Sequence, residues 1–165
     1  MLAYVFWHRP SAGIDPATYE RRLTAFHHAL DLPGGSRTLL LDRAPFAPHT
    51  PAYEDWYLVS TWTELGELND RAVDAARRTA HDAAAAGAHD GAGGVYRLLA
   101  GTPPQAPFDA TWLTKPRTTT YADVLRTHEA PAVWQRQMVL GPAPELLLQG
   151  ARDPRGDAHT RATPI

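Results

Sequence analysis

At 165 residues, with 44% hydrophobic and 21% charged side chains, the chain has the make-up of one compact globular domain, or of one and a half small repeats. A net charge of −2, with basic residues neither in excess nor clustered, excludes the footprint of a nucleic-acid binder. The absence of cysteine excludes disulfides, thiolate metal sites and a cysteine nucleophile. No apolar run approaches membrane-spanning length and no signal peptide precedes the first strand, so the expected compartment is the cytoplasm. The basic residues are fifteen Arg and one Lys in a chain rich in Ala, Pro and Gly, the mark of a GC-rich coding sequence such as those of actinobacteria.

The first strand, residues 2–9, carries Leu2, Tyr4 and Phe6 on one face and Ala3, Val5 and Trp7 on the other. It is apolar on both faces, as is the third strand, residues 53–62, so the sheet is expected to be covered twice, by helices and by a second sheet. Asp15-Pro16 caps a helix over 16–30 with Tyr19, Leu23, Phe26 and Leu30 at helical spacing, and Pro33-Gly34-Gly35 ends it. Arg37–Arg43 reads as the second strand and is followed by a proline-rich loop through Pro51. Thr63, with Glu64, Leu65 and Leu68, opens a long helix to residue 85. A Gly/Ala connector, 86–94, leads to a fourth strand, Val95–Ala100.

That order, β-α-β-β-α-β over residues 1–100, is the ferredoxin-like arrangement of an α+β domain. After the linker 101–107, a partial second repeat is expected within 108–150: strand 110–115, helix 120–128, strand 133–140, a turn at Gly141–Pro144 and strand 145–149. Residues 151–165, polar with Pro and Gly, read as a loose tail.

The element order, with Tyr4-Val-Phe-Trp-His-Arg-Pro10 and the helix Tyr19-Glu-Arg-Arg-Leu-Thr-Ala-Phe-His-His28, resembles the dimeric α+β barrel superfamily, which includes EthD-like and antibiotic-biosynthesis monooxygenase-like proteins. The resemblance is one of fold, and no diagnostic motif accompanies it. It implies that two sheets pair into a barrel, by dimerisation or by tandem duplication, and it implies a place in secondary metabolism. An apolar sheet face with only one full set of helices points to a homodimer whose partner sheet covers the rest.

A ferredoxin-like strand order would gather His8, Arg9, Asp42, Arg43, Tyr53, Glu54, Asp55 and Tyr96 at one edge of the sheet. Within that set His8 is the candidate general base or acid, because an imidazole titrates near neutral pH, and Asp55 is its candidate orienting partner. Arg9 and Arg43 are candidates to hold a carboxylate or stabilise an enolate, and Tyr53 and Tyr96 to donate to a carbonyl. The bland alternative is that these are solvated strand ends.

His27, four residues after Leu23, is expected to face the cleft between helix and sheet as a substrate-binding residue. His27, His28 and His128 are also the candidate axial ligands if the protein binds haem, with a surface or core histidine as the competing reading; no metal-ligand spacing accompanies them. Lys115, the single lysine, is either a desolvated amine or an exposed residue beside a turn. Gln135 and Gln137 share a face and either line a polar cavity or mark a wet edge. Trp7, Trp56, Trp62, Trp112 and Trp134 fall on or beside strands and suit either a flat hydrophobic ligand, with Trp56 as a wall, or core packing. Nucleotide motifs are absent.

The expectation is therefore a cofactor-independent enzyme for proton-transfer chemistry (cyclisation, isomerisation, elimination or oxygenation) on a hydrophobic, oxygenated small molecule. The competing readings are a non-catalytic binding or assembly protein and a haem-binding barrel monooxygenase.

Overall fold

The computed structural model describes residues 1–43, 52–139 and 143–165; the proline-rich loop after the second strand, with His49, and the first two residues of the expected Gly141–Pro144 turn lie outside them. The elements are β1 (Leu2–Pro10), α1 (Pro16–Leu30), β2 (Ser36–Leu41), β3 (Ala52–Val59), α2 (Trp62–Ala72), α3 (Arg78–Ala85), β4 (Ala88–Gly101), β5 (Phe108–Leu113), α4 (Tyr121–Thr127), β6 (Ala132–Val139), β7 (Leu146–Gln149) and β8 (Ala158–Pro164). All strand pairs are antiparallel, and the sheet closes on itself as an eight-stranded barrel in the order β1-β3-β2-β8-β5-β7-β6-β4.

Alternation along the strands sorts the side chains to two sides. Ala3, Val5 and Trp7 of β1, Leu39 and Leu41 of β2 and Trp56 of β3 point into the barrel. Four fully buried tryptophans, Trp7, Trp56, Trp112 and Trp134, fill it, with edge-on contact between Trp7 and Trp112 at 5.6 Å and a tilted pair, Trp56 and Trp134, at 5.3 Å. Four such rings need small neighbours to reach interior packing density, and Ala110, Ala132, Ala158 and Ala162 supply them. On the outer face Tyr19, Leu23, Phe26 and Leu30 of α1 pack over Tyr53 and Tyr57 of β3 with Leu68 and Ala84 of α2 and α3. In the second half, Val124 of α4 packs directly on Leu113, Val133, Leu146 and Leu148.

Three expectations are corrected. Residues 151–165 are not a loose tail: β8 pairs with β2 (Leu41↔Ala162) and with β5 (Ala110↔Thr160), and so closes the barrel. The signal was weak because its inward residues, Ala158, Thr160 and Ala162, are small, as the tryptophans beside them require; Trp112 Nε1 donates to Thr160 Oγ1 at 3.2 Å. Closure also removes the reason for a partner sheet, since strands of the same chain cover the inner face.

The expected helix 63–85 is two helices. Thr61, not Thr63, caps the first by accepting from Glu64 N at 3.1 Å. The chain then turns at Asp74, whose carboxylate accepts from Arg77 N and Nη1 while Arg77 Nε reaches Leu30 O at the end of α1.

The glycine-rich connector is strand. Residues 88–94 form the first half of β4, and a Cβ on Gly91 would lie 2.4 Å from Phe6 Cζ. The glycines there make room for Tyr4 and Phe6 to lie across the neighbouring strand, a reason invisible to propensity. Between Trp7 and Arg9 the β1–β4 register shifts, and Asp90 takes a φ of 53° on β4. The irregularity brings the Asp90 carboxylate to Arg9.

Candidate functional site

A cavity of 710 Å³ lies between the outer face of β1, β3 and β4 and the three helices of the first half. Its floor is aromatic: the rings of Tyr4 and Phe6 lie 6.3 Å apart at 25°, and those of Tyr4 and Tyr57 5.8 Å apart at 26°. Its helical wall is aliphatic, from Leu23 of α1, Leu65, Leu68 and Ala72 of α2, and Ala84 and Ala85 of α3. The polar residues lining it fall into two groups, one of His8, Tyr19 and Asp55, the other of Asn69, His81, His89 and Asp90.

The first group is a connected, buried chain. Tyr19 Oη lies 2.5 Å from His8 Nδ1, and His8 Nε2 lies 3.1 Å from Asp55 Oδ2. The same carboxylate accepts from Thr38 Oγ1 at 2.6 Å and from Tyr57 Oη at 3.0 Å, and His27 Nε2 approaches its other oxygen at 3.3 Å. The imidazole of His8 is held by rings as well, stacked on Tyr53 at 7° and edge-on to Tyr19. Strand alternation explains the set: Tyr53, Asp55 and Tyr57 share the helix-facing side of β3, Thr38 the same side of β2, and His8 pairs across from Tyr53 in register.

Burial opposes ionisation of Asp55, but its contacts with His27 and His8 outweigh that and hold its carboxyl well below the usual range. Burial, reinforced by the negative charge of Asp55, raises the Tyr19 hydroxyl well above an ordinary phenol, and Tyr57 shifts the same way. Tyr53 is pushed up to about 12 by burial and by its hydrogen bond to Glu20, 2.9 Å long.

The pleat divides the residues expected at one edge. Glu54 and Tyr96 face the barrel interior, as does Trp56. Both Glu54 oxygens accept from indoles, Trp7 Nε1 at 2.7 Å and Trp56 Nε1 at 2.6 Å. Burial raises its carboxyl to about 7, against the lowering effect of those indoles and of Arg37. Tyr96 Oη donates to Pro144 O at 3.2 Å.

Arg9 pairs with Asp90 at 2.6 Å, and exposed Arg43 donates to His159 O at 3.2 Å. Neither lines the cavity. Asp42 instead ties β2 to β8, accepting from Arg161 N at 2.7 Å. His27 meets Asp55 and stacks on Tyr57, outside the cavity lining, while His28 is exposed. Gln135 and Gln137 are half-buried on β6 away from the cavity, where Gln137 Nε2 contacts Gln135 O at 3.5 Å. His128 is bound to Asp153 at 2.7 Å. Lys115 is committed to Thr119 O at 2.7 Å and sits over the ring of Tyr121.

Sequence reasoning passed over Tyr19, Tyr57 and Thr38. The pattern Tyr53-x-Asp55-x-Tyr57 was the available signal, because it sets one carboxylate between two phenols on one strand face. Tyr19 was legible only as the first apolar position of α1.

Among the described residues no three His, Cys, Asp or Glu side chains group so as to hold a metal ion, and no helix is long and apolar enough to cross a membrane. What fold and site define is a mixed α+β protein built on a closed antiparallel barrel, with a ring-floored cavity under its helices. No family model, curated protein or solved structure matches the chain.

Proposed function

We propose that the cavity is the active site of a cofactor-independent enzyme that moves a proton on a hydrophobic, oxygenated small molecule. The observation that carries the reading is the buried Tyr19–His8–Asp55 cluster along a largely apolar, ligand-sized cavity. When Tyr19 donates to Nδ1, the hydrogen of neutral His8 sits on Nε2, which lies 3.1 Å from the Asp55 carboxylate, within ion-pair range but off a hydrogen-bond line. A substrate O–H, or a C–H beside a carbonyl, then gives its proton to the Tyr19 oxygen as Tyr19 passes its own to Nδ1. The substrate is left as phenolate or enolate, and the imidazolium is held by Asp55. The two transfers go together, because a free Tyr19 phenolate is disfavoured by burial and by the Asp55 charge. Return of the proton at another atom completes an isomerisation, a cyclisation or an elimination. Asp55, Thr38 and His27 act as positioning residues.

The ferredoxin-like reading of residues 1–100 belongs to the same proposal. The neighbour order β4-β1-β3-β2 supports it, and with it a kinship to the dimeric α+β barrel proteins, here with both sheets in one chain.

The test is deuterium exchange at the acidic carbon of 2-tetralone, followed by NMR in heavy water. Catalysed exchange is expected from the native protein, with a loss of about a hundredfold in His8→Asn, the usual size of a general acid–base contribution. No exchange above buffer with tetralone bound would favour the non-catalytic binding protein instead.

A further inference from the structure

We infer that the cavity selects its ligand by charge, taking a flat, uncharged compound and rejecting carboxylates and phosphates of the same shape. This rests on reading the cavity as the ligand site. It does not depend on what reaction follows.

The chain carries sixteen basic side chains, and none of them lines the cavity. Arg9, which comes nearest in the chain to the lining residue His8, is held by Asp90. The charged groups that do line it are the carboxylates of Asp55 and Asp90, with His8, His81 and His89 as the titratable bases. Asp55 is buried and already satisfied by two hydroxyls, with an imidazole at each oxygen. An anion entering here leaves water, meets an apolar wall, finds no fixed cation and approaches a buried negative charge; each of these disfavours it. A cation fares better electrostatically, but the carboxylate it would seek has its hydrogen bonds filled, and Asp90 is paired with Arg9 and with His89 at 2.8 Å. What remains is dispersion and ring contact. The near-parallel rings of Tyr4, Phe6 and Tyr57 present a surface suited to a planar, neutral molecule.

The test is direct binding of three probes of one shape to the purified full chain at neutral pH: 2-naphthol, 2-naphthoate and the ammonium form of 2-(aminomethyl)naphthalene. Naphthol is expected to bind tightest and naphthoate about a hundredfold more weakly. Naphthoate or the amine binding as tightly as naphthol overturns the inference, as does failure of all three to bind. Asn69 is exposed on α2 and lines the cavity, so Asn69→Arg adds a cation without disturbing the core. It is expected to recover naphthoate binding by about two- to fivefold. Unchanged rejection in that variant shows that wall charge is not the cause, and the inference falls. Selectivity intact in a protein that exchanges no tetralone deuterium sinks the proposed reaction while leaving charge selection standing.

Discussion

Glu54 and Asp55 are neighbours in the chain, both almost fully buried, and they sit in opposite worlds. Glu54 lies among the packed tryptophans, hydrogen-bonded to two indole N–H groups and helped only from a distance by Arg37, so burial dominates and its carboxyl rises to about 7. Asp55 faces the helices, where two hydroxyls and two imidazoles surround it and keep it ionised. One step along the strand separates a carboxyl raised to about 7 from one held below the usual range. The protein's two layers differ in kind: the interior of the barrel is packed rings, and the helix-covered face carries the buried charge beside the cavity.

Predictions that break this contrast run from large to small. Deleting β8 should have the greatest effect, exposing the β2 and β5 edges at once. Size-exclusion chromatography is expected to show aggregated or swapped species, and a well-folded monodisperse product would refute the closure role. Glu54→Ala comes next. It strands two buried indole donors and opens a void among the tryptophans, at a cost of about 3–5 kcal/mol in urea unfolding. Asp55→Asn keeps the packing and should cost less, about 1–3 kcal/mol, while tetralone exchange falls at least as far as in His8→Asn; a stability loss equal to that of Glu54→Ala would erase the distinction between the faces.

The two acids also pull stability in opposite directions with pH. Folded Glu54 keeps a proton that the unfolded chain releases, so this group's contribution declines as pH rises from about 4.5 to about 7 and is flat above. Asp55, held below the usual range, contributes stability that is complete above the unfolded value and is lost as pH falls through the acid range. Melts at a series of pH values should show Glu54→Gln flattening the upper slope and Asp55→Asn the lower one, and a swap of these assignments would show the environments misread.

The smallest effect is expected at Gly91. A methyl there meets the far end of the Phe6 ring, which can swing into the cavity, so Gly91→Ala should lower stability by only about 1 kcal/mol. Naphthol affinity should drop severalfold as the floor loses its flatness, and unaltered affinity would count against the aromatic floor as the binding surface.

The first half was legible in the sequence where one physical signal dominated. β1 announced itself by apolar residues on both faces, and α1 by a capping Asp15, Pro16 and four apolar residues at helical spacing. The polar end of the sheet was readable as a cluster but not as a division, because the side on which Glu54 and Asp55 fall follows from pleating that only a fixed register reveals. β8 and the start of β4 were missed for one shared reason. Their small residues answer large rings elsewhere, Trp112 and Phe6, and a strand chosen for the space it leaves carries little hydrophobic signal of its own. Tyr19 was hidden by its amphipathic nature, since its ring is core while its hydroxyl meets His8.

The pairing of Leu41 with Ala162 has a consequence in time. About 120 residues separate the two, so during synthesis β2 emerges long before the strand that will satisfy its free edge. Until then its unpaired backbone is a template, and the earliest matching segment to arrive from a crowded neighbour is another copy's β8. Chains made slowly and far apart should close on themselves, whereas chains released close together should exchange their last strands. The yield of barrel is then set by the spacing of translation as much as by the stability of the product.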